Sequence, residues 1–176
     1  GPLMQMLSIL LGAIFGIISS SKRKINKLEL LQVKNERKLF SNFSLLLFLF
    51  LLIILPLFSK SFDNNTIKIF DTFYRSGSLV FGGGHVVLPL LQSQVVPQNW
   101  VNTNDFMAGY GLAQAIPGPL FAFSAYLGTI MIPEPNGWQG GIICLFAIFL
   151  PSFLVVFGIL PYWEIFRKQK YVQEAL

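Results

Sequence analysis

Long apolar stretches separated by short polar ones dominate the pattern along this chain. Leu39 to Phe58 is a nearly continuous run of Leu, Phe and Ile, and about 20 apolar residues are enough to cross a bilayer as a helix. Three further windows of sufficient length carry no charged residue: 76–104, 106–133 and 136–163. The pattern predicts five membrane segments, at 3–18, 39–58, 70–92, 106–131 and 138–162.

Two clusters of glycine and proline interrupt the third and fourth of these segments. The first runs from Phe81 to Pro89 and the second from Gln114 to Phe121. Hydrocarbon offers no partner for a free backbone N–H or C=O, so unwound chain at this depth must be covered by protein or line a water-filled cavity. Secondary transporters build substrate sites from such broken helices. The clusters therefore indicate transport, with the third segment either a broken helix or a re-entrant hairpin.

Composition and charge agree with a membrane protein. Only 12% of the residues are charged and 53% are hydrophobic, whereas a soluble domain has about 25% charged residues. Seven of the 13 Lys and Arg residues lie in 19–42 and three more in 167–170. Because positive loops stay in the cytoplasm, both clusters are predicted to lie inside; four crossings or two re-entrant hairpins between them satisfy this equally. The net charge of +5 is thus a topology signal, and no nucleic-acid partner is predicted.

Local signals refine the segments. Pro133 to Gly137 predicts a short turn. Pro151 and Pro161 predict kinks in the fifth segment, since proline removes an N–H and clashes with the preceding turn. Asp105 is predicted to cap a helix that begins at the next residue.

Few ionisable residues are available for a site. Arg75 follows Asp71 by one helical turn, so it is either a paired interfacial residue or an attractor for an anion, because guanidinium presents a planar fork of donors. His85 is either a hydrogen-bonded structural group or a functional residue, since ionisable groups inside spans are candidates by default. The single Cys144 is predicted to be a small buried hydrophobe. One His and one Cys cannot complete a zinc site, so no metal, cofactor or enzymatic activity is predicted.

The charge-free windows contain no Asp or Glu, which favours an anion site over a cation site. Helix N-termini offer free N–H groups and partial positive charge, and glycine permits close approach. Neutral donors are available from Tyr110, Ser124 and Tyr126. The alternative is that both clusters are kinks or close-packing points. The predicted oxyanion ligands are Arg75, Gly82, Gly83, Gly84, His85, Gln114, Pro117, Gly118 and Pro119.

Several motifs occur in an order and spacing that carry a family resemblance. They are Phe73-Tyr74-Arg75, Phe81 to Leu91, Gly109-Tyr110-Gly111, Ala113 to Phe121, Ala125 to Gly128 and Phe149 to Phe153. Through these motifs, 70–176 resembles the second half of long-chain members of the chromate ion transporter family. Residues 1–18 resemble the last helix of a preceding half, and 19–69 a basic cytoplasmic loop with a connecting span and linker.

The resemblance implies a multi-pass carrier of the cell inner membrane that expels chromate, an oxyanion similar to sulfate. It also implies partners: the remaining halves of the transporter or further copies of the chain. Two departures stand out. The chain stops at Leu176, where the family's half continues, so 70–176 resembles an incomplete domain. Gln94 stands where many relatives carry Glu, which weakens the case for a carboxylate role at that position.

Three other functions compete with chromate export. A sulfate or other anion carrier would use the same donors. A membrane enzyme acting on a lipid phosphate would require a catalytic acid, base or metal cluster, and the sequence offers none. A non-transporting assembly subunit would share the apolar pattern without flux. The sequence leaves the coupling ion open.

Overall fold

A computed structural model describes three stretches of the chain, residues 27–80, 84–115 and 118–166. Helices dominate them, and no strand occurs within these stretches, which confirms the predicted all-α class. The predicted segment 3–18 lies outside the described residues. The helices are α1 Lys27–Ser61, α2 Asn65–Leu79, α3 Gly84–Val95, α4 Thr103–Ala115, a 3-10 turn Leu120–Ala122, α5 Phe123–Ile130 and α6 Gly137–Phe166.

Two helices are long and apolar enough to cross a membrane. They are Lys38–Ser61, with 24 residues, and Gly137–Trp163, with 27 residues, and they match the predicted segments 39–58 and 138–162. Helix α1 begins at Lys27, within the basic segment 19–42 and before the predicted span 39–58. Both prolines of the fifth segment lie inside α6, which continues as helix past each of them.

The two long helices run antiparallel, since residues 63–66, just after α1, share a cleft with Glu134 and Pro135, just before α6, and the other ends of the two helices are also in contact. The Ser41 hydroxyl donates to the Gly158 carbonyl, and the Tyr162 hydroxyl donates to the Asn42 side chain. The start of one span therefore lies beside the finish of the other. We call this the basic end, because the Lys/Arg-rich segments adjoin these helix ends in the sequence.

The opposite end of the described helices is formed by turns, and we call it the turn end. Residues 63–66 and the pair Glu134-Pro135 line one open cleft there. Asn64 caps α2, since its side chain accepts from the Thr66 and Ile67 amides at 2.9 and 3.3 Å. The turn predicted at Pro133 to Gly137 is confirmed as the connection from α5 to α6.

Both interrupted segments return to the turn end. The amide of Ile132, which follows α5, donates to the carbonyl of Trp100, between α3 and α4, at 2.9 Å. Tyr126 of α5 donates its hydroxyl to the carbonyl of Asp105 in the first turn of α4, at 3.1 Å, so these two helices are antiparallel. The third and fourth segments are therefore each folded as a helical hairpin, α2–α3 and α4–α5.

Helix packing in the unit Leu39–Leu176 depends on glycines at the contacts. A methyl group on Gly140 would overlap the carbonyl oxygens of Gly128 and Pro135, and one on Gly77 would overlap the carbonyl oxygen of Ile148. Such close backbone approach is how small residues join membrane helices. The buried core around these contacts includes Ile69, Phe73, Val87, Leu91, Phe106, Phe123, Leu127, Cys144 and Ala147.

The start of α4 corrects one local prediction. The helix begins at Thr103, and the side-chain oxygen of Asn102 accepts from the Asp105 amide at 2.8 Å. Asn102 is therefore the capping residue. Asp105 lies in the first turn, where its carboxylate accepts from the Asn102 side-chain amide at 2.6 Å.

The arrangement predicts which sites are accessible from each side of the membrane. We expect single cysteines at Ser20 and Gln173, next to the basic clusters, to react with an impermeant thiol reagent only from the cytoplasmic side. A cysteine at Asn136, in the turn end, should react only from the opposite side. The background is Cys144→Ala, which removes the buried thiol. Labelling of Ser20 and Asn136 from one side would contradict the arrangement.

Candidate functional site

The first break separates α2 from α3. Val80 has extended backbone at φ −80° and ψ 106°, and α3 begins at Gly84. Two of the predicted ligands, Gly84 and His85, therefore lie in the first turn of α3. Gly82 and Gly83 are outside the described residues.

The second break separates α4 from α5. Helix α4 ends at Ala115, and helical backbone resumes with the 3-10 turn Leu120–Ala122. Gly118 and Pro119, both predicted ligands, lie in the non-helical stretch and are exposed. Pro117 is outside the described residues. The position of the break, near the middle of the predicted fourth segment, agrees with the prediction.

Residues close to both breaks contact the same level of α6. Gly77, shortly before the first break, packs on the backbone of Ile148. Phe121, just after the second, has its ring centroid 5.6 Å from that of Phe149. At a rise of about 1.5 Å per residue, this level is about 17 Å along α6 from Gly137. It is therefore near the middle of the 27-residue span.

Helix ends converge at this level. The 3-10 turn contacts α3, α4, α5 and α6, so the second break is in contact with the helix that leaves the first. Helices α3 and α5 begin beside the breaks, while α2 and α4 end there. The first N–H groups of a helix have no intrahelical acceptor and carry partial positive charge. Leu120 and Phe121, which begin the 3-10 turn, thus supply backbone donors that suit an anion.

Arg75 stands one turn before the end of α2. Its Nη2 donates to Oδ2 of Asp71, which confirms the predicted i,i+4 pair. The neighbouring Tyr74 donates its hydroxyl to the Phe48 carbonyl at 3.0 Å. Phe48 is near the middle of the span Lys38–Ser61. Helix α2 therefore contacts the middle of that span at Tyr74.

Asp71 revises the argument that the bundle lacks an embedded carboxylate. Along α2 it lies between Thr66, which lines the cleft at the turn end, and Gly77, which packs on mid-α6. Its side chain is 5% exposed, whereas that of Arg75 is 45% exposed. A buried carboxylate requires a partner, and Arg75 is that partner. A preference for an oxyanion therefore depends on the Asp71–Arg75 pair, which is neutral overall, and on the helix ends. It does not depend on an absence of acidic residues.

A second ion pair continues the charges toward the turn end. Lys68 pairs with Asp63, and the hydrogen bond from Lys68 keeps the pKa of Asp63 below its usual value. Positions 68, 71 and 75 are spaced by three and four residues, so they share one face of α2. Sequence reasoning missed Lys68, although this spacing was available as a signal.

The side chains predicted as neutral donors differ in the hydrogen bonds that they make. Gln114 donates its side-chain amide to the Tyr110 hydroxyl, and both side chains reach the surface of α4. The prediction of Ser124 and Tyr126 as free donors is wrong. The Ser124 hydroxyl is buried and donates to a backbone carbonyl one turn earlier at 2.7 Å. That of Tyr126 is used on the carbonyl of Asp105.

Comparison with known proteins supplies the family. Residues 67–176 match the family described as chromate transporter, a range covering more than half of the chain. The chain belongs to the chromate transporter family. This confirms the resemblance drawn from the motifs over 70–176.

Individual relatives agree with this family. An uncharacterized transporter of Methanocaldococcus jannaschii is 31% identical over 118 residues, covering 66% of this chain and 27% of that protein. An uncharacterized transporter of Bacillus subtilis is 31% identical over 110 residues, covering 61% of this chain and 60% of that protein. A chromate transport protein of Pseudomonas aeruginosa is 27% identical over 89 residues, covering 51% of this chain and 20% of that protein.

The matched region spans less than two thirds of the length of each of these relatives. No solved structure matches the chain.

Proposed function

We propose that this chain forms part of an inner-membrane carrier that exports chromate or a related inorganic oxyanion, and that its two breaks bind the anion together. One observation carries the proposal: both breaks flank the level of Ile148 and Phe149 in the middle of α6. A ligand at this level would have contact with backbone from both hairpins. Export is the direction implied by the resemblance to chromate transporters.

Backbone donors suit a tetrahedral dianion. The starts of α3 and of the 3-10 turn offer N–H groups without intrahelical acceptors, and their partial positive charge favours negative ligands. Gly118 leaves open space, since a methyl group built there has no neighbour within 4 Å. The glycines of the first break would permit the same approach. The proposed ligand set stays Arg75, Gly82, Gly83, Gly84, His85, Gln114, Pro117, Gly118 and Pro119.

Arg75 would supply the full positive charge. Its guanidinium is partly exposed and uses one nitrogen on Asp71, and a planar fork of donors can bind an oxyanion through two parallel hydrogen bonds. Chromate and sulfate share charge and shape, so this set of donors does not by itself choose between them. The homologous partner that completes the carrier would be a second half or another copy of the chain.

The direct test is oxyanion flux with altered Arg75. In proteoliposomes that contain the full-length protein, Arg75→Gln should lower chromate flux at least about tenfold, because a charge-assisted hydrogen bond contributes roughly 1.5–3 kcal/mol. Its flux should also depend less on salt, since the screened charge is gone. Arg75→Lys should retain part of the flux, because the charge survives without the fork.

Controls distinguish the site from general charge effects. Lys60→Gln removes an exposed cation near the end of α1 and should leave flux unchanged. Sulfate as competitor ranks the two oxyanions, and sulfate flux that exceeds chromate flux identifies a sulfate carrier. Normal chromate flux in Arg75→Gln at equal incorporation would reduce Arg75 to a structural partner of Asp71. Absence of flux for either anion in the wild-type protein would favour an assembly subunit.

A further inference from the structure

Charges of alternating sign follow α2 from the turn end toward the breaks. Asp63 pairs with Lys68, and Asp71 pairs with Arg75. Lys68 also lies three residues before Asp71 on the same helix face, a spacing at which helix side chains meet. Asp71 therefore has two cations within reach, one toward the turn end and one toward the breaks.

We propose that these four residues form an exchange relay in which Asp71 moves from Arg75 to Lys68 when an oxyanion takes the guanidinium. The inference rests on the proposed role of Arg75 as an oxyanion ligand. Asp71 is then a positioning residue: it holds the guanidinium when the site is empty and competes with the substrate for it. Release of the oxyanion restores the original pair.

Burial makes the exchange necessary for Asp71. Its side chain is 5% exposed, and breaking a buried ion pair is costly because one charge remains uncompensated. Loss of Arg75 to a substrate would leave Asp71 in that condition unless another cation replaced it. Lys68 is on the same face, and its flexible stem carries a compact charge that can be repositioned.

Exposure makes the exchange inexpensive for the outer pair. The Lys68 side chain is 36% exposed and that of Asp63 is 95% exposed. Exposed ion pairs contribute little to stability, so water replaces Lys68 at Asp63 with little loss. Lys68 thus leaves an exposed partner, Asp63, for a buried one, Asp71. This transfer keeps the buried charge paired.

The relay predicts opposite effects on the apparent affinity for chromate. Asp71→Asn removes the competitor for Arg75, so the KM for chromate should fall about tenfold, in keeping with one charge-assisted hydrogen bond. The maximal rate should fall as well, because nothing displaces the bound anion. Lys68→Met leaves Asp71 without its second partner and should raise KM about tenfold by the same reasoning. Lys60→Met removes another exposed lysine and should leave both constants unchanged.

A double variant separates the relay from simple electrostatic attraction. With Asp71→Asn present, Lys68→Met should no longer change KM, since no carboxylate remains to be re-paired. Additive effects of the two changes would overturn the relay, as would an unchanged KM in Lys68→Met, whose partly exposed position allows folding even if Asp71→Asn fails to fold. Arg75→Gln is measured alongside. If it loses flux while the KM of Lys68→Met stays at the wild-type value, the relay is wrong and the oxyanion site stands; normal flux in Arg75→Gln refutes the role of Arg75 as an oxyanion ligand, and the relay with it.

Discussion

Gly118→Leu is expected to lower chromate flux by about 100-fold or more while leaving the folded protein intact. Nothing lies within 4 Å of a methyl group built on Gly118, and its backbone is not in the left-handed region. A leucine is therefore accommodated by the protein. It would fill the space beside the 3-10 turn, where the oxyanion would approach the backbone donors. Loss of two charge-assisted hydrogen bonds, each worth about 1.5–3 kcal/mol, gives at least this decrease.

The matched control is Gly111→Leu. Gly111 also has no neighbour within 4 Å of an added methyl group and is exposed, but it lies within α4 rather than in the break. Its flux should equal that of the wild type at the same incorporation into liposomes. Wild-type flux in folded Gly118→Leu would show that the open space is not a binding region, and the second break would then be a packing feature.

Gly140→Leu is expected to prevent stable packing of α5 on α6. A side chain there would overlap the carbonyl oxygens of Gly128 and Pro135, and backbone cannot rotate away as a side chain can. Overpacking by even a few carbon atoms costs typically about 1–3 kcal/mol, so Gly140→Ala should already lower the midpoint of thermal unfolding. The leucine variant should give little monodisperse protein in detergent.

Gly111→Ala serves as the comparison for stability, because an added methyl group there meets nothing. It should unfold at or slightly above the temperature of the wild type, because alanine favours helix more than glycine does. An unchanged unfolding midpoint in Gly140→Ala would mean that α5 is not held against α6 through this crossing. The contact between Phe121 and Phe149 depends on the same packing of α5 on α6. It is one of the two contacts that place the breaks at a common level, so that placement would then be in doubt.

Local chemistry predicted much of this protein from the sequence. The length of the apolar runs was sufficient to predict the two spans. A helix of about 20 apolar residues can cross a membrane, because its backbone N–H and C=O groups bond to one another. Clusters of glycine and proline marked both breaks, since both residues disfavour helix, whereas the single prolines Pro151 and Pro161 are tolerated inside α6. The Asp71–Arg75 pair followed from helical spacing. The order and spacing of the motifs were sufficient to identify the family, which matches residues 67–176.

Competing local signals limited other predictions. Asn102 and Asp105 are both good capping residues, and periodicity does not choose between caps three residues apart. Ser124 and Tyr126 looked like free donors, but which acceptor a hydroxyl finds depends on neighbours. Tyr126 reaches Asp105 across the hairpin, a contact that no local rule contains.

Only the tertiary structure decided the course of the interrupted segments. The charge clusters permitted crossings or hairpins equally, because both return the chain to the same side. The choice depends on contacts between residues distant in sequence, such as the Ile132 amide with the Trp100 carbonyl. The level of both breaks depends likewise on Gly77 with Ile148. The sequence by itself determined where helices can form and where they must stop, since those preferences belong to single residues and short spacings. Burial of Asp71 and the convergence of the helix ends arise from packing, which short-range patterns do not encode.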